Sequence, residues 1–197
     1  MREIAKIGFK LLIITLIGGI CLGITYSVTQ KPIEEHAKEK ANEARRGVLI
    51  AETYEEIKLE DLKNSPNWSD KFSKNLKNVY VAYGKEGYIG ATFEVTSTGY
   101  GGEMVIMVGI NADGTIAGVN VVSNGETQGI GSKAMQKSFL ELYIGKDSAK
   151  AINVSENAIN NDVEVISGAT ISSKAVNAGV DVAALAMNQL VKGEYDK

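Results

Sequence analysis

The sequence predicts an α+β fold: an N-terminal transmembrane helix, then a domain in which helices pack on an antiparallel β-sheet. Three observations predict it. Leu11 to Gln30 contains no charged residue. Four runs rich in Val, Ile, Tyr, Phe and Thr follow one another between short turns, from Val79 to Val122. From Thr170 onward, apolar residues recur at three- and four-residue steps.

The uncharged run comes first. A helix of about 20 residues spans roughly 30 Å, the hydrocarbon thickness of a bilayer. Arg2, Lys6 and Lys10 precede the run, whereas Lys31 and Lys38 after it are mixed with Glu34, Glu35 and Glu39. The positive-inside bias therefore puts residues 1–10 in the cytoplasm, residues 11–30 across the membrane and the remainder outside. A cleaved signal peptide has the same layout, but this apolar run is long and no small-x-small site follows it. Cys21 makes a poor lipid-anchor candidate, because the bulky Ile20 precedes it. After Pro32, strong helix formers, the Glu34/Lys38 spacing and Gly47 predict a helical stalk over 31–52. Residues 53–197 form the outer domain.

Within that domain, Thr53 to Asn78, with Asn64-Ser65-Pro66-Asn67-Trp68, shows turn signals and no clear period, which predicts an irregular connection with one short helix. Val79–Tyr83, Tyr88–Thr96, Glu103–Ile110 and Thr115–Val122 are strand candidates. Lys85-Glu86-Gly87 and Asn111-Ala112-Asp113-Gly114 separate them as hairpin turns. A helix over Ser132–Leu142, a second polar helical region after Asp147 and a short strand, Val163–Ile166, come next. The last helix runs from Thr170 to about Lys192, with Ile171, Ala175, Ala178, Val182 and Leu185 on its apolar stripe and Ser173, Lys174, Asn177, Asp181 and Asn188 on its other, polar faces.

Composition narrows the chemistry. The 197 residues carry 21 Lys and Arg against 24 Asp and Glu, a net charge of −3 with no basic stripe, which argues against nucleic acid as a partner. One cysteine and one histidine, Cys21 and His36, leave no disulfide framework, no Cys/His metal site and no His-based triad. No catalytic side chain and no metal are expected; the chemistry belongs to a cofactor. Gly129-Ile130-Gly131-Ser132-Lys133-Ala134 fits G-x-G-x-x-A formally, but it follows a meander strand instead of opening a βαβ unit.

The junction of the short strand and the last helix is the most informative place. Gly168 permits a tight turn, Ala169 keeps bulk away, and Thr170, Ser172 and Ser173 offer hydroxyls at a helix N-terminus. Free amides and the helix dipole suit such a terminus to a phosphate. From the residues alone, an ordinary helix cap and a phosphate site both remain open.

Ser167-Gly168-Ala169-Thr170, followed by Ile171-Ser172-Ser173 after an antiparallel sheet and a single N-terminal span, resembles the FMN-binding G subunit of the Rnf ion-translocating electron-transport complex. That protein is related to the C subunit of the sodium-pumping NADH:quinone reductase, whose outer domain is typically longer. The resemblance implies that Thr170 carries FMN as a covalent phosphoester, attached by a separate flavin transferase that takes FMN from FAD. It assigns Ser167, Gly168, Ala169 and Thr170 to the phosphate end. Gly125-Glu126-Thr127-Gln128-Gly129-Ile130-Gly131 is similar to the family's Glu-Thr-Pro-Gly-Leu-Gly run, with Gln128 in place of Pro, so Thr127, Gly129, Ile130 and Gly131 are candidates for ring contacts. Gly99-Tyr100-Gly101-Gly102 resembles a glycine-rich turn of the family; Tyr100 there is either a stacking partner or a turn residue. Glu164 stands three residues before Ser167, where the transferase motif usually has Asp. Lys133 and Lys174 are each either an offset to phosphate charge or a plain surface lysine.

Taken together, the resemblance implies an electron-transfer subunit of a membrane-bound ion-translocating ferredoxin:NAD oxidoreductase, not catalytic alone, with other membrane and peripheral subunits as partners. The alternatives are a flavinylated subunit of another extracytoplasmic electron-transfer chain or of the sodium pump, and a nonflavin binding or scaffold module in which Thr170 is only a cap.

Overall fold

The computed structural model describes residues 2–63, 68, 70–129 and 131–191. Its contacts divide the chain into two compact units, residues 1–40 and 41–197.

Helix α1 runs from Arg2 to Val48 and includes Pro32, whose ring removes one backbone donor from the helix interior. It contains an 18-residue stretch of mean hydropathy 2.3, long and apolar enough to cross a membrane. Hydroxyls on this helix find partners within it. Thr25 Oγ1 donates to Cys21 O at 2.9 Å, Ser27 Oγ to Gly23 O at 2.9 Å and Thr29 Oγ1 to Thr25 O at 2.8 Å. No hydroxyl among these three therefore depends on water for its hydrogen bond.

In the second unit, β1 (Thr53–Ile57), β2 (Leu76–Gly84), β3 (Gly87–Thr98), β4 (Glu103–Asn111) and β5 (Ile116–Asn124) form one sheet in sequence order. Every neighbour is antiparallel. The four expected strands are present, with bounds close to those of their apolar runs. At the Asn111–Thr115 turn, Asp113 Oδ1 accepts from Thr115 N at 2.8 Å and Thr115 Oγ1 at 2.7 Å, and Gly114 takes φ +91°. These contacts close the hairpin locally.

The segment expected to be irregular instead contributes β1, together with the short helices α2 (Leu59–Lys63) and α3 (Asp70–Asn75). β1 is an edge strand whose Glu55 and Glu56 are exposed, and these charges hide the two-residue period while discouraging further pairing. The turn expected at 64–67 lies outside the described residues.

Helix α5 (Thr170–Ala186) packs on β3 and β4, and a π-helical turn over Met187–Val191 continues it. The expected end near Lys192 lies outside the described residues. Close approach is possible because position 179 is glycine: a Cβ there would lie 2.7 Å from Ile106 Cδ1 and 3.2 Å from Val95 Cγ2. Val95, Ile106, Val176, Val180 and Ala183 form the core between helix and sheet. Two positions depart from the expected polar face and two from the apolar stripe. Ile171 and Ala178 are exposed, while Ser173 and Asn177, expected on polar faces, are buried. The segment before α5 covers that second face: Asn177 Nδ2 donates to Ile152 O at 2.8 Å, and Asn188 Nδ2 to Ser148 O at 2.9 Å.

Two expected helices are corrected. Ser132–Leu142 is broken into 3₁₀ turns at Gly131–Met135 and Glu141–Tyr143 around α4 (Lys137–Leu140), because Gln136 is extended at φ −67°, ψ 142°. The polar region after Asp147 is not helical. It holds β6 (Val154–Ser155), which pairs in parallel with β7 (Val163–Glu164). Asn161 Nδ2 donates to Asp147 O at 3.0 Å, Lys146 Nζ to Asn160 O and Asp162 O at 2.8 Å each. Asn and Asp side chains bonding to nearby backbone compete with helix here.

The opposite face of the sheet is covered by the last turns of α1. Ala44 and Val48 bury against Met107, flanked by Ala41 and Val122. Gly109 and Gly118, directly paired across β4 and β5, clear the seat for the Val48 backbone.

Candidate functional site

The turn before α5 forms the site's floor. Ala169 N donates to Ile166 O at 2.9 Å, and Gly168 adopts φ +78°, a conformation that glycine takes without strain. Ser173 N then donates to Ala169 O at 2.9 Å, the first bond of the helix. The N-cap is therefore Ala169, which has no capping side chain, and Thr170 is the first helical residue. Thr170 is exposed, so its hydroxyl is not spent on closing the helix in the manner of an ordinary cap. Ser173 Oγ accepts from Ile166 N at 3.4 Å and is buried beneath the turn, away from the face that Thr170 offers.

Thr170, Gly168 and Ala169 line a cavity of about 370 Å³ with Ile171, Ser172 and Tyr100. The volume lies within the roughly 300–1,000 Å³ usual for ligand pockets. Tyr100 reaches it from the turn between β3 and β4, where Gly99 N donates to Gly102 O at 2.8 Å. Tyr100 and Ile171 remain 70% and 55% exposed, so two large apolar bodies stand open side by side at the cavity. One end of the cavity thus has a helix N-terminus without a side-chain cap, suited to an anion, and its walls are apolar and aromatic. These residues fit a group with a phosphate end and a flat apolar body.

The glycine-rich loop after β5 meets this floor from behind. Gly131 is buried, and a Cβ on it would lie 2.9 Å from Ser172 Oγ. Gly129, at φ +87°, donates its N–H to Ser132 Oγ at 2.9 Å. Of the expected site residues, Tyr100, Gly168, Ala169 and Thr170 share the cavity and Gly131 backs it. Ser167 is exposed on the adjoining turn; Thr127 and Gly129 are exposed on the loop and do not line the cavity. Ile130 lies outside the described residues. Lys133 and Lys174 are both exposed. Ile171 and Ser172 line the cavity although the sequence points to neither as a wall residue: the apolar period assigns the first to the core, and the second is one hydroxyl among three.

Residues 99–184, which contain every one of these elements, match the family described as FMN-binding domain. Over 97% of its length the chain is 30% identical to the G subunit of the Na(+)-translocating ferredoxin:NAD(+) oxidoreductase complex of Acetobacterium woodii, covering 95% of that protein. The chain belongs to the family of Rnf complex G subunits. A second relative, the G subunit of the proton-translocating ferredoxin:NAD(+) oxidoreductase complex of Clostridium ljungdahlii, is 28% identical over 91% of the chain and 89% of its own length. Among solved structures, the C subunit of the Na(+)-translocating NADH-quinone reductase of Parabacteroides distasonis superposes with a TM-score of 0.50 at 22% identity. That match covers 58% of this chain and 62% of the other, and it bears on the fold of this G subunit alone.

Proposed function

We propose that this G subunit is the electron-transfer flavoprotein of a membrane-bound ion-translocating ferredoxin:NAD oxidoreductase and that it carries FMN as a phosphoester on Thr170. The observation that carries the reading is the exposed Thr170, at the head of a helix whose cap is an alanine, on the wall of a cavity faced by Tyr100. Family membership and the FMN-binding domain match support it.

When bound, FMN supplies the one- and two-electron chemistry. The protein's part is to hold it. Thr170 anchors the phosphate, and the uncapped first turn of α5 offers its amides and dipole to the remaining charge. Tyr100 and Ile171 would pack against the ring and keep water from it, with Gly131 backing the cavity. A covalent link retains the cofactor on a protein exposed outside the cytoplasm. Residues 11–30 anchor the chain as a single span with residues 1–10 in the cytoplasm, 31–52 form the stalk, and 53–197 hold the flavin beside the other subunits of the complex. A flavin transferase performs the attachment, with Glu164 in the place of the motif's usual Asp.

The test is intact mass and in-gel flavin fluorescence of the full-length chain, made alongside a flavin transferase. The wild type gains the mass of FMN less water and fluoresces after denaturation; Thr170→Ala does neither. An unmodified wild type under those conditions, or a modified Thr170→Ala, overturns the assignment.

A further inference from the structure

Glu126 occupies a place that three glycines keep clear. A Cβ on Gly99 would overlap Glu126 Oε1, a Cβ on Gly131 would overlap Glu126 Oε2, and a Cβ on Gly101 would lie 2.8 Å from Glu126 Cα. The side chain is thus wedged between the turn that carries Tyr100 and the loop that ends at Gly131. The Gly131 contact also brings it beside Ser172 on the first turn of α5. Tyr100 and Ser172 both line the cavity at Thr170, so the carboxylate stands directly behind that wall. Its two oxygens are shielded from solvent, and neither has a hydrogen-bond partner among the described residues.

Burying a carboxylate without donors is costly, and a fold that needed only a spacer at this point would gain from an apolar side chain. A carboxylate shielded in this way is also poorly screened by water, so its field reaches into the neighbouring cavity. We propose that Glu126 is a positioning residue that tunes the cofactor site electrostatically: its carboxylate lowers the reduction potential of the flavin held at Thr170. The inference rests on the FMN reading above. Negative charge behind the ring disfavours electron uptake, and protein charges near a flavin are among the levers that set its potential.

The experiment is a spectroelectrochemical titration of the flavin on the full-length chain, co-produced with the transferase, for wild type, Glu126→Gln, Glu126→Asp and Glu86→Gln. Glu86, exposed in the β2–β3 turn, controls for loss of the same charge at a distance. Glu126→Gln moves the midpoint potential to a more positive value, Glu126→Asp shifts it less in the same direction, and Glu86→Gln leaves it at the wild-type value. Thermal unfolding establishes that each variant is folded. A Glu126→Gln potential equal to that of wild type overturns the proposal. So does a folded Glu126→Gln that takes up no flavin, because the residue would then shape the site without acting through charge. Should the Gln variant not fold, an unshifted potential in Glu126→Asp is the overturning result. A wild type that carries no flavin removes the FMN reading itself, an outcome distinct from failure of the Glu126 assignment alone.

Discussion

Replacing Gly109 by alanine tests how the end of α1 is seated on the sheet. A Cβ at this position would lie 2.6 Å from Val48 O, 2.9 Å from Val48 C and 3.0 Å from Leu49 Cβ. The first two are backbone atoms, so no rotamer change relieves the overlap; the helix end must lift. Lifting it loosens the contact of Ala44 and Val48 with Met107. Forcing extra volume into such a seat costs about 1–3 kcal/mol, against roughly 0.4–1 kcal/mol recovered from the reduced freedom of the unfolded chain. The expected net loss is about 1–2 kcal/mol, or a fall of roughly 2–8 °C in Tm for a unit of this size. Gly118→Ala meets the same backbone, with Val48 O at 2.9 Å and Val48 Cα at 3.0 Å. Once one alanine has displaced the helix end, the other costs less, so the double variant should be destabilised by less than the two single losses combined. Thermal unfolding of the full-length chain in detergent, followed by circular dichroism, measures all three. A Gly109→Ala protein as stable as wild type, or strictly additive losses, would refute the reasoning.

Three further predictions address the site and the core. Gly168→Ala forces a Cβ into φ +78° and should cost about 1–2 kcal/mol while reducing flavin attachment, read from unfolding and from the fluorescent fraction. Asn177→Ala removes a buried donor to Ile152 O and leaves that carbonyl short of a partner, a loss of about 1–3 kcal/mol measurable by urea unfolding. Tyr143 is buried, its hydroxyl has no partner among the described residues, and burial first, then Asp181, pushes its pKa well above the ordinary 10.0. Below pH 10 the hydroxyl is neutral in the folded and unfolded chains alike; as pH rises from there toward the raised value only the unfolded chain ionises and stability falls, so Tyr143→Phe should flatten the alkaline limb of the stability profile. At neutral pH the same variant should be as stable as wild type or up to about 1 kcal/mol more so, with the edge-on packing on Phe139 kept.

The features legible in the sequence are those with a local physical cause. Four strands announce themselves through β-branched runs bounded by Asp113-Gly114 and Glu86-Gly87, and α5 through its repeated apolar steps. β1 escapes because its charges face solvent on an edge, and the region after Asp147 reads as helical because polar composition alone does not reveal which backbone atoms Asn161 and Lys146 will hold. At the site, Gly168, Ala169 and Thr170 are legible as one contiguous motif, and Tyr100 through its glycine-rich turn. Ser172 and Ile171 do not stand out, since which face of the first helical turn opens on a cavity depends on how α5 docks. Glu126 lies inside a legible motif with no role written into it. Its packed position comes from Gly99 and Gly131, which are distant from each other in sequence and meet around it only in the fold.

The cavity at Thr170 takes one wall from the turn after β3 and its floor from the last long helix. Neither part encloses it alone. A polypeptide not yet folded, or one whose final helix has come loose, presents the threonine with no pocket beside it. Any group fixed at Thr170 from within that pocket therefore certifies a finished molecule, and the proportion of chains bearing it serves as a gauge of correct maturation.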